Sequence, residues 1–222
     1  MVEMNQITDE ILLRQKELST DGSLLVAISG IDASGKSTVA QQLVEGLKRR
    51  GLNVVLIGLD AWHNLPEERF NKENPGKHFY AHAFRFGELF QLLINPLRRN
   101  RSIRLMVDVT RLPENDVVWH TYDFQRVDVI VLEGIFLLKR EWQKHYDLAF
   151  WVECSFETAL ERAIARNQEG LPEEEIIRDY RGIYFPAQRL HLANDDPRTG
   201  ADGIIENDER LVQPEYEWEQ VL

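Results

Sequence analysis

Apolar residues along the chain gather into short continuous runs rather than strict alternation. Four stand out: "SLLVAISG" (23–30), "LNVVLIGLD" (52–60), "VDVIVLEGI" (127–135) and "YDLAFWVEC" (146–154). A strand that is apolar on both faces needs cover on both, so such runs separated by helical segments predict a parallel sheet between helices. Helical periodicity follows the first run in "STVAQQLVEGLKRRG", closed by Gly51, and recurs from about Arg85 to Asn100 and in the N-capped "SFETALERAIARNQEG". "LPEEEIIRDYRGIYFPAQRLHLAND" carries a further helical pattern, read as interrupted by Pro186. Thr8 to about Thr20 reads as a surface helix, with Ile11, Leu12 and Leu18 in a polar background, and "ADGIIEND" reads as a last strand. From Ser102 to Phe124 the grammar changes. "IRLMVDV" and "VVWHTYDF" flank the turn-rich "TRLPEND", which predicts a β-hairpin hanging off the sheet. No internal repeat or low-complexity segment is visible, and a chain of 222 residues fits one domain, 1–222, with the hairpin at 102–124 as an insertion.

Chemistry enters between the first strand and its helix. Gly30, Gly35, Lys36 and Ser37 in "SGIDASGKST" match G-x-x-x-x-G-K-[ST], with the strand before and the helix after that the motif requires. Successive N–H groups and the helix N-terminus would converge there on a polyphosphate, so Gly30, Ile31, Asp32, Ala33, Ser34, Gly35, Lys36, Ser37 and Thr38 are the expected nucleotide-binding residues. Lys36 is expected on the β- and γ-phosphates of ATP, and the Ser37 hydroxyl on Mg²⁺. In open parallel sheets ligands lie beyond the carboxyl ends of the strands, where Asp60 and Glu133 follow apolar runs. Asp60 suits the proton of an attacking hydroxyl and Glu133 suits the metal. Asp32, inside the loop, receives no role. Phosphoryl transfer also needs cations. Arg162 and Arg166 share a helix face, Arg178 and Arg181 follow on the next pattern, and "NQEGLPEEE" between them reads as the turn of a helical lid over 162–181.

Charge and composition narrow the partners. The net charge is −11, and more than half of it comes from the stretch after Asn194, where nine acids face two arginines. With no basic stripe, general nucleic-acid binding is excluded in favour of a small anion held locally. The single cysteine, Cys154, precludes an internal disulfide and a cysteine-based metal framework, and reads as a buried strand-end thiol. The N-terminus lacks the basic start and apolar run of a signal peptide, and no apolar stretch approaches about 18 residues, so no membrane association and a cytoplasmic location are expected. Exposed helix faces leave room for a homo-oligomer.

With the loop, "GLDAWH", "VLEGIF" and the arginine-rich lid in order, the chain resembles the uridine kinase branch of the P-loop kinases, which also includes phosphoribulokinase-like and pantothenate kinase-like relatives. The resemblance runs from about Leu24 to Asp208 and is strongest in "GIDASGKST" and "VIVLEGIF". It implies a three-layer αβα fold with a mostly parallel five-stranded sheet, and an ATP- and Mg²⁺-dependent kinase for a small-molecule hydroxyl, nucleoside or other metabolite. Catalytic roles would fall to Lys36, Asp60, Arg162 and Arg166, and the hairpin would form part of the acceptor pocket. Tyr122-Asp123-Phe124 is present, but "QRVDV" follows at once where uridine kinases carry His-x-Arg and a longer spacer, and "HFYAHAFRF" replaces their Asp-His-Pro stretch. The acceptor-pocket candidates are therefore Tyr80, His82, Arg85, Tyr122 and Arg181, beside Asp60. Thymidylate-type kinases share the loop but carry Asp-Arg where this chain has Glu133-Gly134, and no Asn-Lys-x-Asp segment supports a GTPase switch. A nucleotide-binding regulator without transfer remains the alternative from another class.

Overall fold

The computed structural model describes residues 3–18, 22–168 and 170–212. Helix α1 (Met4–Glu17) leads into β1 (Leu24–Gly30), α2 (Lys36–Arg49) and β2 (Val54–Gly58). The short helices α3 (Pro66–Arg69), α4 (Pro75–His82), α5 (Phe86–Glu88) and α6 (Asn95–Asn100) precede a hairpin of β3 (Ile103–Arg111) and β4 (Asp116–Phe124). Then come β5 (Val129–Glu133), α7 (Arg140–Gln143), β6 (Leu148–Glu153), α8 (Phe156–Arg166), α9 (Glu173–Asp179), α10 (Phe185–Asp195) and β7 (Gly203–Glu206).

The main sheet runs β2-β5-β1-β6-β7 with every pairing parallel. Three of the four apolar runs form its inner members β5, β1 and β6, the run at 52–60 forms the edge strand β2, and all seven residues of β1 are buried. Alternate side chains serve opposite layers: Leu24, Val26 and Ile28 pack with Ile7, Ile11, Val39, Leu43 and Leu47 of α1 and α2, while Leu25 and Ala27 join Leu132, Trp151, Phe136 and Leu93 on the other face. The hairpin forms a separate two-stranded sheet, Ile103 opposite Phe124 and Arg111 opposite Asp116. Its inward Val107, Val109 and Tyr122 are buried, and Trp62 stacks on Tyr122 with centroids 6.4 Å apart. Among the described residues no helix is long and apolar enough to cross a membrane.

Three boundaries differ from the sequence expectation. Helix α1 begins at Met4 rather than Thr8, because Ile7 is also needed under the sheet; its expected end at Thr20 lies outside the described residues. Helix α8 stops at Asn167, which takes the left-handed conformation (φ 37°) before Gly170 is reached. Pro186 does not interrupt its helix. A π-turn at Tyr180–Tyr184 joins α9 to α10, and another at Leu89–Ile94 joins α5 to α6 just ahead of Pro96. Each widened turn accommodates a proline that lacks an N–H and crowds the carbonyl four residues back.

On the layer opposite α2, Asp195 gathers Tyr80 Oη (2.5 Å), His191 Nδ1 (2.7 Å) and the Arg140 amide (3.1 Å). Burial pushes the His191 imidazole below its ordinary range, and the Asp195 carboxylate offsets only part of that. The folded chain therefore holds this histidine neutral, whereas the unfolded chain binds a proton below about pH 6.5. Stability should fall as pH drops from about 6.5 toward the depressed folded value. His63, also buried, shifts in the same direction and adds to the slope. Urea titrations at pH 7.5 and 5.5 should show the loss, and His191→Gln should shrink the difference between the two pH values.

Candidate active site

The phosphate loop is shaped by two glycines with separate duties. A Cβ on Gly30 would sit 2.6 Å from Ser34 Oγ and 2.7 Å from the Val152 carbonyl, so only glycine fits as β1 ends. Gly35 (φ 91°) caps α2 in the left-handed region, and a side chain there would run into the Asn207 amide. Lys36 is 6% exposed, its Nζ donating to the Ile31 carbonyl at 3.2 Å across the loop. From behind, Asn207 Nδ2 and Arg162 Nη1 both donate to the Ser34 carbonyl, at 2.7 and 3.1 Å, and Arg162 Nη2 donates to the Asn207 carbonyl at 2.7 Å. Arg162 thus braces the loop backbone instead of lining the cavity. That corrects its expected contact with the transferring group: the helix face carrying it meets the end of β7, a neighbour that sequence spacing does not reveal. Burial pushes the adjacent Cys154 thiol up to about 12, so it stays protonated and inert.

Sheet register brings the acids to the same edge. Gly58 and Ile28 both pair with Glu133, so the Asp60 turn and the loop opening at Gly30 each start two residues beyond the level of Glu133. A cavity of about 370 Å³ there is lined by Asp32, Lys36, Ser37, Asp60, Glu133 and Arg166, with His63, Arg69, Phe70, Phe79, Asn115 and Tyr184 among its other walls. Burial pushes the Glu133 carboxyl above its ordinary range and Asp60 adds to this, while Lys36 and a hydrogen bond from Ser37 oppose it. Ser37 and Glu133 are hard oxygen donors side by side and fit Mg²⁺. Among the described residues no three His, Cys, Asp or Glu side chains gather to hold an ion. A metal here would therefore lean on phosphate oxygens and water as well.

Gly134 secures the spacing of these acids. A Cβ on it would come within 2.5 Å of Leu59 Cβ, next to Asp60. Gly134→Ala should push the Asp60 turn outward, cutting turnover at least tenfold while lowering the melting temperature by several degrees, as overpacking of this size does. Thermal melts and steady-state rates check both effects.

Asp32, to which the sequence lent no role, ties the loop to α8, to α10 and to the turn between α9 and α10. Its Oδ2 accepts from Tyr180 Oη at 2.5 Å, its Oδ1 accepts the Ala33 amide at 2.8 Å, and Arg166 stands 4.0 Å away. The Asp32 amide in turn donates to Gln188 Oε1 at 2.9 Å. Burial alone would raise the Asp32 carboxyl, but Lys36, Arg166 and the Tyr180 hydroxyl outweigh it and hold it below the usual carboxylate range. Arg166 lines the cavity, whereas Arg178 pairs with Glu175 and Asp179 on the surface and Arg181 is exposed outside it.

The other acceptor-side expectations are not brought to this cavity. Tyr80 gives its hydroxyl to Asp195, and His82 is exposed against His78. Arg85 is bound by Asp108 (3.0 Å) and Glu88 (2.7 Å), and Tyr122 is buried against Trp62 beneath the hairpin. Their places are taken by His63, whose Nδ1 lies 2.9 Å from the Asp60 carbonyl, by Arg69, Phe70 and Phe79, and by the hairpin tip at Leu112, Pro113 and Asn115. One signal was present in sequence: "HNLPEERF" begins three residues after Asp60, and residues just past a strand's carboxyl end are the natural wall of a site there.

The model of the phosphoribulokinase / uridine kinase family matches residues 25–182. The uridine kinase of Staphylococcus carnosus is 28% identical over 174 residues, covering 75% of this chain and 79% of that protein. That of Ureaplasma parvum is 25% identical over 173 residues, covering 76% and 82%. Uridine-cytidine kinase A of Dictyostelium discoideum is 26% identical over 74% of this chain, which spans only 32% of that longer protein. Among solved structures, a possible uridine kinase from Bacillus stearothermophilus superposes with TM-score 0.67 at 22% identity, over 90% of this chain and 99% of that one. That likeness concerns the fold, a three-layer P-loop architecture with a parallel five-stranded sheet.

Proposed function

The chain belongs to the phosphoribulokinase / uridine kinase family, a family of P-loop kinases, and from that premise we propose that it moves the γ-phosphoryl group of ATP to a hydroxyl of a small molecule, a nucleoside or similar metabolite. The observation that carries this reading is the convergence of Lys36, Ser37, Glu133 and Asp60 on one cavity. Lys36 and Arg166 supply positive charge to the phosphates, where a loose transition state spreads its negative charge. Ser37 and Glu133 would hold Mg²⁺, which would supply positive charge against the phosphates. Asp60, exposed at the far wall, takes the proton from the acceptor hydroxyl as that oxygen bonds to the γ-phosphorus and the bond from phosphorus to ADP breaks.

The named relatives favour a nucleoside. A second reading, a non-nucleoside metabolite such as pantothenate or a sugar phosphate, is favoured by one observation: Tyr80, His82, Arg85 and Tyr122 do not line the cavity, and Arg69 does. Release of ADP measured over uridine, cytidine, pantothenate and sugar phosphates tests both readings. A regulator without transfer would bind ATP and release ADP with none of them.

A further inference from the structure

Arg69 is the anomaly of the cavity wall. It closes α3, is 6% exposed, and lines the same cavity as Asp60. Its Nη2 donates to Asn115 Oδ1 at 2.5 Å, and its guanidinium lies 5.0 Å from the Phe70 ring centroid. Nε and Nη1 are buried with no hydrogen-bond partner among the described residues, and the Asp60 carboxylate, which favours the Arg69 charge without bonding to it, does not offset the burial that disfavours it. Four other shielded arginines each have a carboxylate, Asp108 for Arg85, Asp147 for Arg98, Asp128 for Arg101 and Glu153 for Arg198, and Arg162 spends both terminal nitrogens on the Ser34 and Asn207 carbonyls.

Even the single partner is neutral. The Asn115 amide is oriented by its own turn, Nδ2 donating to the Pro113 carbonyl at 2.9 Å, which leaves Oδ1 facing Arg69. A buried cation with unused donors costs several kcal/mol unless something pairs with it. A fold does not need such a group for its stability; a binding site for an anion does. Lys36 and Arg166 stand with the phosphate loop, so Arg69, beside Phe70, Phe79 and the hairpin tip, is the cation of the opposite wall.

We infer that the phosphate acceptor carries an anionic group of its own, a carboxylate or a phosphate, which Arg69 binds while Asp60 meets the reacting hydroxyl. This deepens the kinase reading and rests on it for the word acceptor. The anion and the hydroxyl would occupy one small molecule, its anionic end under the hairpin tip. Arg69 then acts as a specificity residue through ground-state binding, so its loss should appear in KM rather than in kcat.

The test compares matched acceptors with and without the anion: glycerol against D-glycerate, D-ribose against D-ribose 5-phosphate, pantetheine against pantothenate, and uridine against uridine monophosphate. ADP release is followed for the wild type, Arg69→Gln and Arg69→Lys, and calorimetric binding of each compound is measured beside a non-hydrolysable ATP analogue. The wild type should prefer the anionic member of at least one pair by about 100-fold in kcat/KM, as loss of a charge-assisted bidentate contact predicts. Arg69→Gln should erase the preference through KM, and Arg69→Lys should keep part of it. The winning pair distinguishes carboxylate from phosphate. Melting temperatures should not fall in Arg69→Gln, since a lone buried charge is removed; a large drop together with an unaltered acceptor preference would mark a structural residue and overturn the inference. Neutral members used as well as anionic ones, or no Arg69-dependent binding of any anion, would also overturn it while leaving the kinase reading intact. Arg69-dependent anion binding without ADP release would sink the kinase reading alone.

Discussion

Lys36→Met should lower kcat by about 10³-fold, some 4 kcal/mol of lost transition-state stabilisation, with the fold preserved. The Lys36 side chain is 6% exposed; its ammonium donates to the Ile31 carbonyl of its own loop and its charge acts on Asp32 and Glu133. Methionine keeps the aliphatic volume that packs beside β1 and deletes the charge, so the melting temperature should change by no more than a few degrees. The loop itself is braced by Asn207 and Arg162 through the Ser34 carbonyl, contacts that do not involve Lys36. Nucleotide affinity should therefore drop less than the rate does, because backbone N–H groups supply much of the ground-state grip while the lysine follows charge as it moves onto the departing phosphate. Stopped-flow binding of a fluorescent ATP analogue beside steady-state turnover separates the two. Turnover equal to wild type would remove Lys36 from the phosphates.

How much of this was legible in the sequence follows from which contacts are local. The sheet was legible because a strand buried on both faces must be apolar along most of its length, and β1, β5 and β6 turn polar only at their carboxyl ends. Asp60 and Glu133 were legible because their positions follow from strand ends, and parallel pairing aligns strand ends without further information. The acceptor wall was not. Between Trp62 and Phe86 the chain has no sustained period, and within α4 each residue turns about 100° from the last, so Phe79 meets the cavity while Tyr80 turns to Asp195 and His82 to solvent. Choosing polar and aromatic residues by type alone selected the wrong side of that helix. Arg162 failed for a related reason. Its i, i+4 relation to Arg166 is real, but one turn of α8 separates a residue against the loop backbone from one facing Asp32. Arg69 was hidden by "LPEERF", which reads as a solvated charge cluster until burial is known.

Asp60→Asn should reduce kcat by about 10³-fold, inside the range of 10²–10⁴ that removal of a general base costs. The substitution keeps the shape of the side chain and leaves the main-chain anchor untouched: His63 Nδ1 at 2.9 Å and the His63 amide at 3.4 Å both address the Asp60 carbonyl oxygen of the backbone, not the carboxylate. Position is therefore preserved and only proton acceptance is lost. The contrast with Lys36 lies in what survives. Slow transfer to water in the absence of acceptor depends on the phosphate side, so Asp60→Asn should retain most of it whereas Lys36→Met should not. ATP binding should stay within about threefold of wild type in Asp60→Asn, because the carboxylate addresses the acceptor and not the nucleotide. If nucleotide affinity and turnover fell together, Asp60 would belong to the metal and phosphate side of the cavity with Glu133, whose carboxyl it already influences. In that case the hydroxyl would need another base. His63, neutral through burial and in reach of the same turn, is the group to substitute next, and a His63→Gln variant that lost turnover while still binding ATP would transfer the role to it.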